Sequence, residues 1–407
     1  MSRRVGVIGR ASLVRTALGE GLEVVWLRWP DQDGDTLPDD GPGHLVDAPV
    51  LPLGDLNALA QLAPRLAERH AMELVLATSE RGQLPAGFLN SALGLPGTAL
   101  ATVLAFLDKP RFRTLTAATA TAPVRAVSFV PASTAPPMPA PLVVKPIAGA
   151  GSAAVAVLSH AADRTGWHAE HATDSGDWVA EELVPGVEYS VETLTLGRGR
   201  HEVLAVTEKH LFSGSLVEQR HVVPALLEPE VSDAVTAEVC AALDATGLAG
   251  GIGHTEVMVD GGVVRLIESH SRKGGDSIVD LVRLAIGHDL ERLYCLALAR
   301  GPEAVNRVLA DGINGTPGGC AAVGFLRAEP GVVTAVQGVN AATAKAGVVE
   351  VAVSARVGDA VGPLRSSRDR VGRVLVRAAT RSEALAVLDD ALALLAVHTV
   401  PADAGAP

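Results

Sequence analysis

Residues 181–192 read Glu-Glu-Leu-Val-Pro-Gly-Val-Glu-Tyr-Ser-Val-Glu, and this stretch decides how the rest of the chain is interpreted. Its apolar and β-branched positions predict two strands, over residues 178–183 and 187–196. A second acidic segment, further along the chain, contains Glu256 and then Glu-Ser-His-Ser-Arg at residues 268–272. Neither segment is informative alone, but in this order they predict a sheet that carries several carboxylates.

Length and composition bound the class of protein. With 407 residues, of which 48% are hydrophobic and 3% aromatic, the chain is long enough for two or three domains with a substantial core. The formal net charge is −12, and no basic stripe interleaved with aromatic residues is present, which argues against nucleic acid as a partner. Charges, Gly or Pro interrupt the apolar stretches well before the roughly 18 residues that a membrane span needs.

The cysteines and the N-terminus indicate where the protein acts. Cys240, Cys295 and Cys320 are far apart and fit neither a disulfide framework nor a paired metal site. The apolar run at residues 5–9 is too short for the central segment of a signal peptide. We therefore expect a soluble protein in the reducing cytoplasm, with no membrane partner.

The N-terminal part of the chain predicts a parallel βαβ unit. It has a buried strand over residues 5–9, a helix over 13–20 and a second strand over 23–27, a pattern that indicates a Rossmann-like domain. Gly6 and Gly9 do not complete the glycine fingerprint of dinucleotide-binding proteins. The sequence therefore argues against a dinucleotide site.

Segments beyond this unit indicate the domain organisation. Residues 73–78 predict a strand that Glu80 follows, at the edge where open α/β sheets bind ligands; a helix cap is the alternative role for Glu80. Residues 98–120 have a helical pattern, and the Pro-rich stretch 130–141 marks a linker. We expect three domains, over residues 1–104, 105–300 and 301–407.

The hairpin between Glu256 and Glu268 decides whether the two carboxylates share a face of the sheet. A three-residue turn at 260–262 would place Glu256, Glu268 and His270 on one face, whereas a two-residue turn would separate them. The two glycines of this turn favour the three-residue form. Together with His254, these side chains would then form a set of ligands suited to Mg²⁺ held mainly through phosphate oxygens. A solvated hairpin face is the alternative.

A lysine in a strand predicts an anion site. Lys145 lies within the apolar predicted strand 142–146, where an ammonium group is costly to bury unless it is paired. A phosphate would supply the pair, and the following loop, with Gly149, Gly151 and Ser152, would fold over it. The segment differs from a P-loop, which requires a helix and Gly-Lys-Ser or Gly-Lys-Thr after the glycines.

A second predicted anion site follows the second glutamate. Arg272 carries a planar guanidinium that clamps phosphate or carboxylate groups. Gly274 and Gly275 allow backbone amides to approach an anion closely. A surface arginine in a turn is the alternative, and the nearby candidate metal carboxylates favour the anion site.

These segments, in this order, resemble the ATP-grasp carboxylate-amine ligases over about residues 70 to 300. The motifs that carry the resemblance are Gly94-Leu95-Pro96-Gly97, Asp108-Lys109 with Arg113, Val144-Lys145-Pro146, the loop 149–152, residues 181–192, Thr207-Glu208-Lys209-His210, His221-Val222-Val223-Pro224, Glu256 and residues 268–272. Within this superfamily the chain is most similar to the bacilysin-type L-amino acid ligases, through Gly274-Gly275 and the motifs at 358–359 and 362–367.

The resemblance implies a fold of mixed α/β and α+β class. A Rossmann-like domain would span residues 1–104 and a central ATP-grasp domain residues 105–300, with a flexible lid at about 141–182. A small α+β cap would complete the chain over residues 301–407.

The resemblance also implies roles for individual residues. Lys109 and Lys145 would bind ATP phosphates, and Glu256 and Glu268 would hold one or two Mg²⁺ ions. His270 stands where the family usually has Asn, so it either coordinates through nitrogen, which would favour Mn²⁺ somewhat, or leaves that role unfilled. The other nucleotide contacts would come from Gly149, Gly151, Ser152, Glu181, Glu182, Leu183, Val184, Glu188 and Lys209, with Glu181 and the backbone of 183–184 at the adenine and Glu188 at the ribose.

The implied reaction joins a carboxylate, expected to be that of an amino acid, to an amine through an acylphosphate, with release of ADP and phosphate. Lys145 and Arg272 would stabilise the charge on the transferring phosphoryl group. The substrate pocket would be lined by Glu80, His210, His221, Arg272, Gly274 and Gly275. Alternatives are an ATP-grasp carboxylase or phosphotransferase and a nucleotide-binding regulator without activity. The resemblance further implies a homodimer.

Overall fold

The computed structural model describes residues 3–29, 45–47, 51, 54–147, 154–310 and 318–401. The predicted phosphate loop residues Gly149, Gly151 and Ser152 lie outside the described residues.

A parallel sheet opens the chain, as the βαβ pattern predicts. Its strands are ordered β3-β2-β1-β4 and pair in parallel, with residues of β1, β2 and β4 fully buried. Short apolar strands covered by helices on both faces are typical of a Rossmann-like sheet. The elements are β1 (Arg4–Val7), α1 (Ala11–Gly19), β2 (Glu23–Trp26), β3 (Leu45–Asp47), α2 (Leu56–His70), β4 (Leu74–Leu76) and α3 (Glu80–Ala92).

Two helices connect this sheet to the next, where the sequence pattern predicts one helix over 98–120. They are α4 (Leu100–Leu107) and α5 (Lys109–Thr116). Pro110 lacks an N–H and its ring would clash with the carbonyl one turn earlier, so a continuous helix is not formed. Asp108 begins the second helix by accepting a hydrogen bond from the backbone N–H of Arg111 at 3.0 Å. The break places Lys109 at the start of α5.

A small antiparallel sheet follows, with strand order β5-β8-β6-β7. Its elements are β5 (Ala126–Phe129), β6 (Leu142–Pro146), β7 (Ala156–Leu158), α6 (Ala161–His171) and β8 (Trp178–Glu182). Trp167 of the helix packs edge-on against Trp178 of β8, with ring centroids 4.9 Å apart, and forms a separate small core. The lid proposed at about 141–182 contains three of these four strands, and β5 precedes it.

The largest sheet has eight strands, in the order β13-β12-β9-β10-β11-β14-β18-β16. Strand β11 pairs with β14, so the sheet continues from the central part of the chain into the C-terminal part across the proposed boundary at 300. The remaining elements are β9 (Val187–Gly197), β10 (Arg200–Leu211), β11 (Glu218–Val223), α7 (Pro229–Thr246), β12 (Gly251–Asp260), β13 (Val263–His270), α8 (Ile278–Ile286), α9 (Leu290–Arg300), α10 (Pro302–Ala310), β14 (Cys320–Leu326), β15 (Gly331–Gln337), α11 (Val339–Thr343), β16 (Val348–Val353), β17 (Ala360–Val361), β18 (Gly372–Ala378), α12 (Arg381–Leu394) and β19 (Ala396–Val400).

The C-terminal strands β15, β17 and β19 form a separate three-stranded sheet. None of the helices within the described ranges combines the length and the apolar character needed to cross a membrane.

Candidate active site

The hairpin of β12 and β13 places Glu256 directly opposite Glu268. The three-residue turn predicted at 260–262 is wrong, because Asp260 pairs with Val263 and the turn contains two residues. Gly261 and Gly262 have φ angles of 54° and 84°, the left-handed values that a two-residue turn of this kind requires. A β-bulge nevertheless places Glu256 and Glu268 on one face of the sheet. Val257 pairs with Leu266 but Glu256 pairs with Glu268, so residue 267 is the extra, unpaired residue of the bulge.

Arg113 fastens this bulge from helix α5. Its guanidinium donates to the backbone carbonyl oxygens of Leu266 at 2.5 Å and Ile267 at 2.7 Å, and its Nε donates to Glu181 at 2.9 Å. The Arg113 side chain is only 8% exposed, so its N–H groups depend on these protein oxygens, rather than on water, as hydrogen-bond acceptors. Arg113 therefore ties the helix, the bulge and strand β8 together.

Glu181 is held between two cations. Its second oxygen lies 2.7 Å from Nζ of Lys145, and its side chain is 5% exposed. Burial acts to raise the pKa of Glu181, but the charges and hydrogen bonds of Lys145 and Arg113 outweigh it, and the pKa is lowered. Glu181 also lines the first cavity, so its contact with adenine stays a prediction. In addition, Glu181 positions Lys145.

The first cavity lies between the lid sheet and the large sheet. Lys109, Lys145 and Glu182 line it together with the strand-end residues Leu183 and Val184. Its remaining walls are mainly apolar and are formed by Val143, Val155, Val157, Leu211, Leu216, Met258 and Ile267. The carboxylate of Glu182 is bound by the backbone N–H and Nε of Arg125, both at 3.0 Å. An apolar slot with cations at one end suits a flat base that carries an anionic tail.

The second cavity is polar, with a volume of about 470 Å³. Arg272, Gly274, Gly275, Glu80 and His221 all line it. The structure thus brings five of the six predicted substrate residues together.

Three glutamates, Glu188, Glu256 and Glu268, line both cavities. Lys209 bridges two of them, with Nζ at 2.5 Å from an oxygen of Glu188 and 2.5 Å from an oxygen of Glu256. Burial acts to lower the pKa of Lys209, but the charges of Glu256 and Glu188 outweigh it and raise the pKa well above its ordinary value. The shared glutamates therefore form the wall at which a group from one cavity can reach the other.

The pKa of Glu268 is lowered by its surroundings. Burial and the charge of Glu256 act to raise its pKa, but a hydrogen bond with Nε2 of His270 at 3.1 Å and nearby positive charges lower it to about 2. Nζ of Lys109 lies 4.0 Å from the other oxygen of Glu268 and donates to the carbonyl of Ile147 at 3.3 Å. Burial lowers the pKa of Lys109 despite the charge of Glu268.

The donor set fits a hard divalent cation completed by phosphate oxygens. Two half-buried carboxylates, those of Glu256 and Glu268, face each other and repel, so a cation between them would be stabilised. Nδ1 of His270 is buried, and no described residue forms a hydrogen bond with it. Within the described ranges, no three His, Cys, Asp or Glu side chains are arranged as a complete metal site. Phosphate oxygens or water would complete the coordination of a cation held by Glu256 and Glu268.

A buried ion pair lies behind Glu256. Nδ1 of His254 is hydrogen-bonded to Glu192, and its Nε2 lies 3.6 Å from Glu256. The second oxygen of Glu192 accepts from the backbone N–H of Gly274 at 3.2 Å. A Cβ atom at Gly274 would lie 2.9 Å from side-chain atoms of both Glu192 and His254, so only glycine fits there.

This ion pair predicts a pH-dependent stability. Burial acts to lower the pKa of His254, but Glu192 and Glu256 raise it from 6.5 to about 9. The charged pair therefore stabilises the fold fully below pH 6.5, and this contribution is lost as the pH rises through about 9. Glu192→Gln should cost about 3 kcal/mol at pH 6 and clearly less at pH 9.5, as measured by urea unfolding. An equal cost at both pH values would contradict the assignment.

The loop after β13 is clamped against the N-terminal sheet. Glu80, the first residue of α3, forms an ion pair with Nε of Arg272. Glu291 of α9 accepts hydrogen bonds from Thr78 and, at 2.8 Å, from Nζ of Lys273. These contacts hold the loop rigid beside the second cavity. Glu80 thus has an ionic partner in addition to its position at a helix start.

The two histidines predicted in the substrate pocket have different positions. His221 is fully buried in the wall of the second cavity, and neither ring nitrogen has a hydrogen-bond partner among the described residues. Burial lowers its pKa. His210 instead lies next to the inward-facing Lys209, and therefore on the opposite face of β10, where its Nε2 is 2.8 Å from Glu208. The structure therefore separates His210 from the site.

Several residues of the second cavity were not predicted as site residues from the sequence. They include Glu218, Asp276, Ser367 and Arg368. Asp276 directly follows the predicted pair Gly274 and Gly275, so its position in the sequence indicates that it lies close to the site. Ser367 and Arg368 come from the C-terminal part of the chain and depend on the pairing of β11 with β14, which no local pattern encodes.

Two family models match parts of the chain. An ATP-grasp domain model matches residues 138–280, and a model described as L-amino acid ligase C-terminal domain 2 matches residues 324–400. A comparison of the sequence with curated proteins gave no match. The two matched ranges include the lid strands β6 to β8, the glutamate hairpin and the C-terminal strands of the large sheet.

Solved structures share this fold over nearly the whole chain. The L-amino acid ligase from Bacillus licheniformis has a TM-score of 0.77 at 22% identity, covering 98% of this chain and 99% of that chain. Phosphoribosylglycinamide synthetase from Anaerococcus prevotii has a TM-score of 0.69 at 14% identity, covering 98% and 100%. The biotin carboxylase domain dimer of the Hydrogenobacter thermophilus 2-oxoglutarate carboxylase, solved with MgADP and bicarbonate, has a TM-score of 0.62 at 15% identity, covering 98% and 91%. The predicted fold class is confirmed.

Proposed function

This chain belongs to the ATP-grasp superfamily of carboxylate-amine ligases, and we propose from that premise that it joins an amino acid, through its carboxylate, to an amine. The observation that carries the proposal is the meeting of two cavities at Glu188, Glu256 and Glu268. One cavity has the apolar walls and cations that a nucleotide needs, and the other has the polar walls that suit an amino acid. A phosphoryl group passing between them meets the shared carboxylates.

The first cavity is proposed to bind ATP. Lys109 and Lys145 lie at its cationic end, where they would neutralise phosphate charge. The backbone of residues 183–184 would contact the adenine, and Glu188 would bind the ribose. The loop with Gly149, Gly151 and Ser152 would cover the phosphates and exclude water.

A divalent cation is proposed at the wall between the cavities. Glu256 and Glu268 would hold Mg²⁺, with Nδ1 of His270 as a third donor that would favour Mn²⁺ somewhat. When bound, the ion would neutralise charge on the phosphate oxygens. Lys209 would fix Glu188 and Glu256 in place for this role, since it binds both.

The second cavity is proposed to orient the carboxylate substrate. Arg272 and the amide of Gly275 would hold its carboxylate, with Gly274 providing room beside them. His221 and Glu218, which have polar atoms without a hydrogen-bond partner among the described residues, would receive its ammonium. A carboxylate oxygen attacks the γ-phosphorus, which gives the acylphosphate and ADP. The neutral amine then attacks the acyl carbon, the amide bond forms, and phosphate leaves with the former carboxylate oxygen. Lys145 and Arg272 would stabilise charge on the transferring group.

A screen for phosphate release tests the proposal. The protein is incubated with ATP, Mg²⁺ and pairs of amino acids and amines, with the Glu268→Gln variant as the background control. We expect at least one pair to release phosphate and ADP well above the variant and to yield an amide that mass spectrometry detects. Phosphate release that requires bicarbonate would support a carboxylase instead. Binding of ATP without phosphate release from any pair would support an inactive regulator.

We further propose that the protein is a homodimer in the cytoplasm. Support for the assembly comes from the biotin carboxylase relative, which was solved as a domain dimer. Light scattering after size-exclusion chromatography should give twice the 41.7 kDa of the chain. A mass equal to that of one chain would contradict the dimer.

A further inference from the structure

One arginine of the second cavity has a guanidinium without a partner among the described residues. Three of the four basic side chains that line the cavity are engaged: Lys209 by Glu188 and Glu256, Arg272 by Glu80, and Lys273 by Glu291. The fourth is Arg368, which is exposed at the cavity wall. Among the residues that the structure describes, no hydrogen bond or ion pair engages its guanidinium, and its contact at 3.3 Å involves only the backbone N–H.

The backbone that carries Arg368 is rigid. Arg368 lies in a short 3₁₀ helix, Ser367–Asp369, where Asp369 accepts from the backbone N–H groups of Arg365 at 3.0 Å and Ser366 at 2.7 Å. The next residue, Arg370, donates to the carbonyl of Ser367 at 2.8 Å. The guanidinium of Arg368 is therefore attached to a backbone that hydrogen bonds hold in place. This lowers the entropy cost when the guanidinium binds a ligand.

Arg370 anchors this support to the cavity loop. Its guanidinium donates to Asp276 at 2.6 Å and lies 3.7 Å from the centroid of the Phe325 ring. Asp276 and Ser277 have φ angles of 50° and 64°, a strained conformation for residues other than glycine. The strain indicates that the junction between the loop and the C-terminal segment is held in a defined geometry.

Arg368 and the phosphate-facing glutamates belong to different parts of the cavity wall. Glu256 and Glu268 also face the first cavity, whereas Asp276 and Ser367 also line a further cavity next to β16 and β18. The first cavity thus adjoins the second at the glutamates, and the C-terminal segment that carries Arg368 forms another part of the wall of the second cavity. A second substrate has room on that side.

We propose that Arg368 binds the carboxylate of the amine substrate and thereby selects amines that carry an acidic group beside the nitrogen. This inference rests on the proposed function, because it assigns the second substrate of the same site. In an α-amino acid the carboxylate carbon is bonded directly to the carbon that bears the amine. A guanidinium that binds this carboxylate at the cavity wall therefore keeps the amine close by, directed into the cavity. The guanidinium has the planar fork that matches a carboxylate.

The test compares an acceptor amino acid with its carboxamide, which keeps the amine and removes the charge. The donor and acceptor pair with the fastest phosphate release is used, and kcat/KM is measured for both acceptor forms. For Arg368→Gln we expect kcat/KM for the free acid to fall about 10- to 100-fold, and kcat/KM for the carboxamide to stay within about twofold. KM for ATP and for the donor should not change. Arg368→Lys should retain part of the preference, because it keeps the charge.

Arg365→Gln is the matched control, because Arg365 is an exposed arginine in the same segment and does not line the cavity. For Arg365→Gln, kcat/KM for the free acid and for the carboxamide should equal the values of the unchanged protein. An equal loss for acid and carboxamide in Arg368→Gln, or no loss for either, would overturn the inference. A protein that releases no phosphate with any pair would contradict the proposed function instead. Calorimetric binding of the acid and its carboxamide, with Mg²⁺ and a non-hydrolysable ATP analogue present, would then decide the role of Arg368.

Discussion

Glu268→Gln is expected to lower the rate of phosphate release about a thousandfold. The substitution keeps the shape of the side chain but removes the charge that faces both cavities beside Glu256. A neutral amide is a weaker ligand for a divalent cation, and it also weakens the hydrogen bond with Nε2 of His270. The change should affect kcat more than KM for the carboxylate substrate, because the charge is needed when the phosphoryl group moves.

Two controls accompany this measurement. Glu230→Gln alters an exposed glutamate on α7, remote from both cavities, and should leave the rate unchanged. Circular dichroism of Glu268→Gln should match that of the unchanged protein, since one repulsive contact with Glu256 is removed rather than created. A rate within tenfold of the unchanged protein would exclude Glu268 from the phosphoryl-transfer site.

Arg113→Met is expected to lower the free energy of unfolding by about 3 to 5 kcal/mol. The substitution leaves the buried carboxylate of Glu181 with Lys145 as its single cation and removes the donors to two carbonyls at the bulge. Because the bulge places Glu268 opposite Glu256, activity should also fall, by about tenfold or more. Arg113 thus links the stability of the fold to the geometry of the site.

Arg111→Met provides the comparison for this effect. Arg111 lies on the same helix, α5, but is exposed, so its substitution should change the free energy of unfolding by less than about 0.5 kcal/mol. Urea unfolding of both variants measures the difference. If Arg113→Met unfolds at the same urea concentration as Arg111→Met, then the bulge is held by other contacts.

Local patterns predict much of the fold. The βαβ start, the lid strand that carries Lys145 and the hairpin with Glu256 and Glu268 all follow from apolar periodicity and turn residues. Lys145 in particular is unusual enough in a strand to indicate a buried ionic partner, and the structure supplies Glu181. The order of the acidic segments then identifies the kind of site.

Features that depend on distant contacts are not predictable in this way. Gly261 and Gly262 are compatible with a two-residue turn, but that turn alone would separate Glu256 from Glu268. The bulge that restores their shared face is bound by Arg113, which is far away in the sequence. Strand alternation implies that Lys209 and His210 face opposite ways, but not which of them faces inward. The position of Arg368 depends on the pairing of β11 with β14, which joins segments with no common local signal.

An isotope experiment tests the central claim, that a carboxylate in the second cavity attacks ATP in the first. The donor amino acid is labelled with ¹⁸O at both carboxylate oxygens, and the phosphate released in the presence of the amine is analysed by mass spectrometry. An acylphosphate route transfers one labelled oxygen to each released phosphate, and the nucleotide product is ADP. Unlabelled phosphate, or AMP with pyrophosphate, would contradict the account.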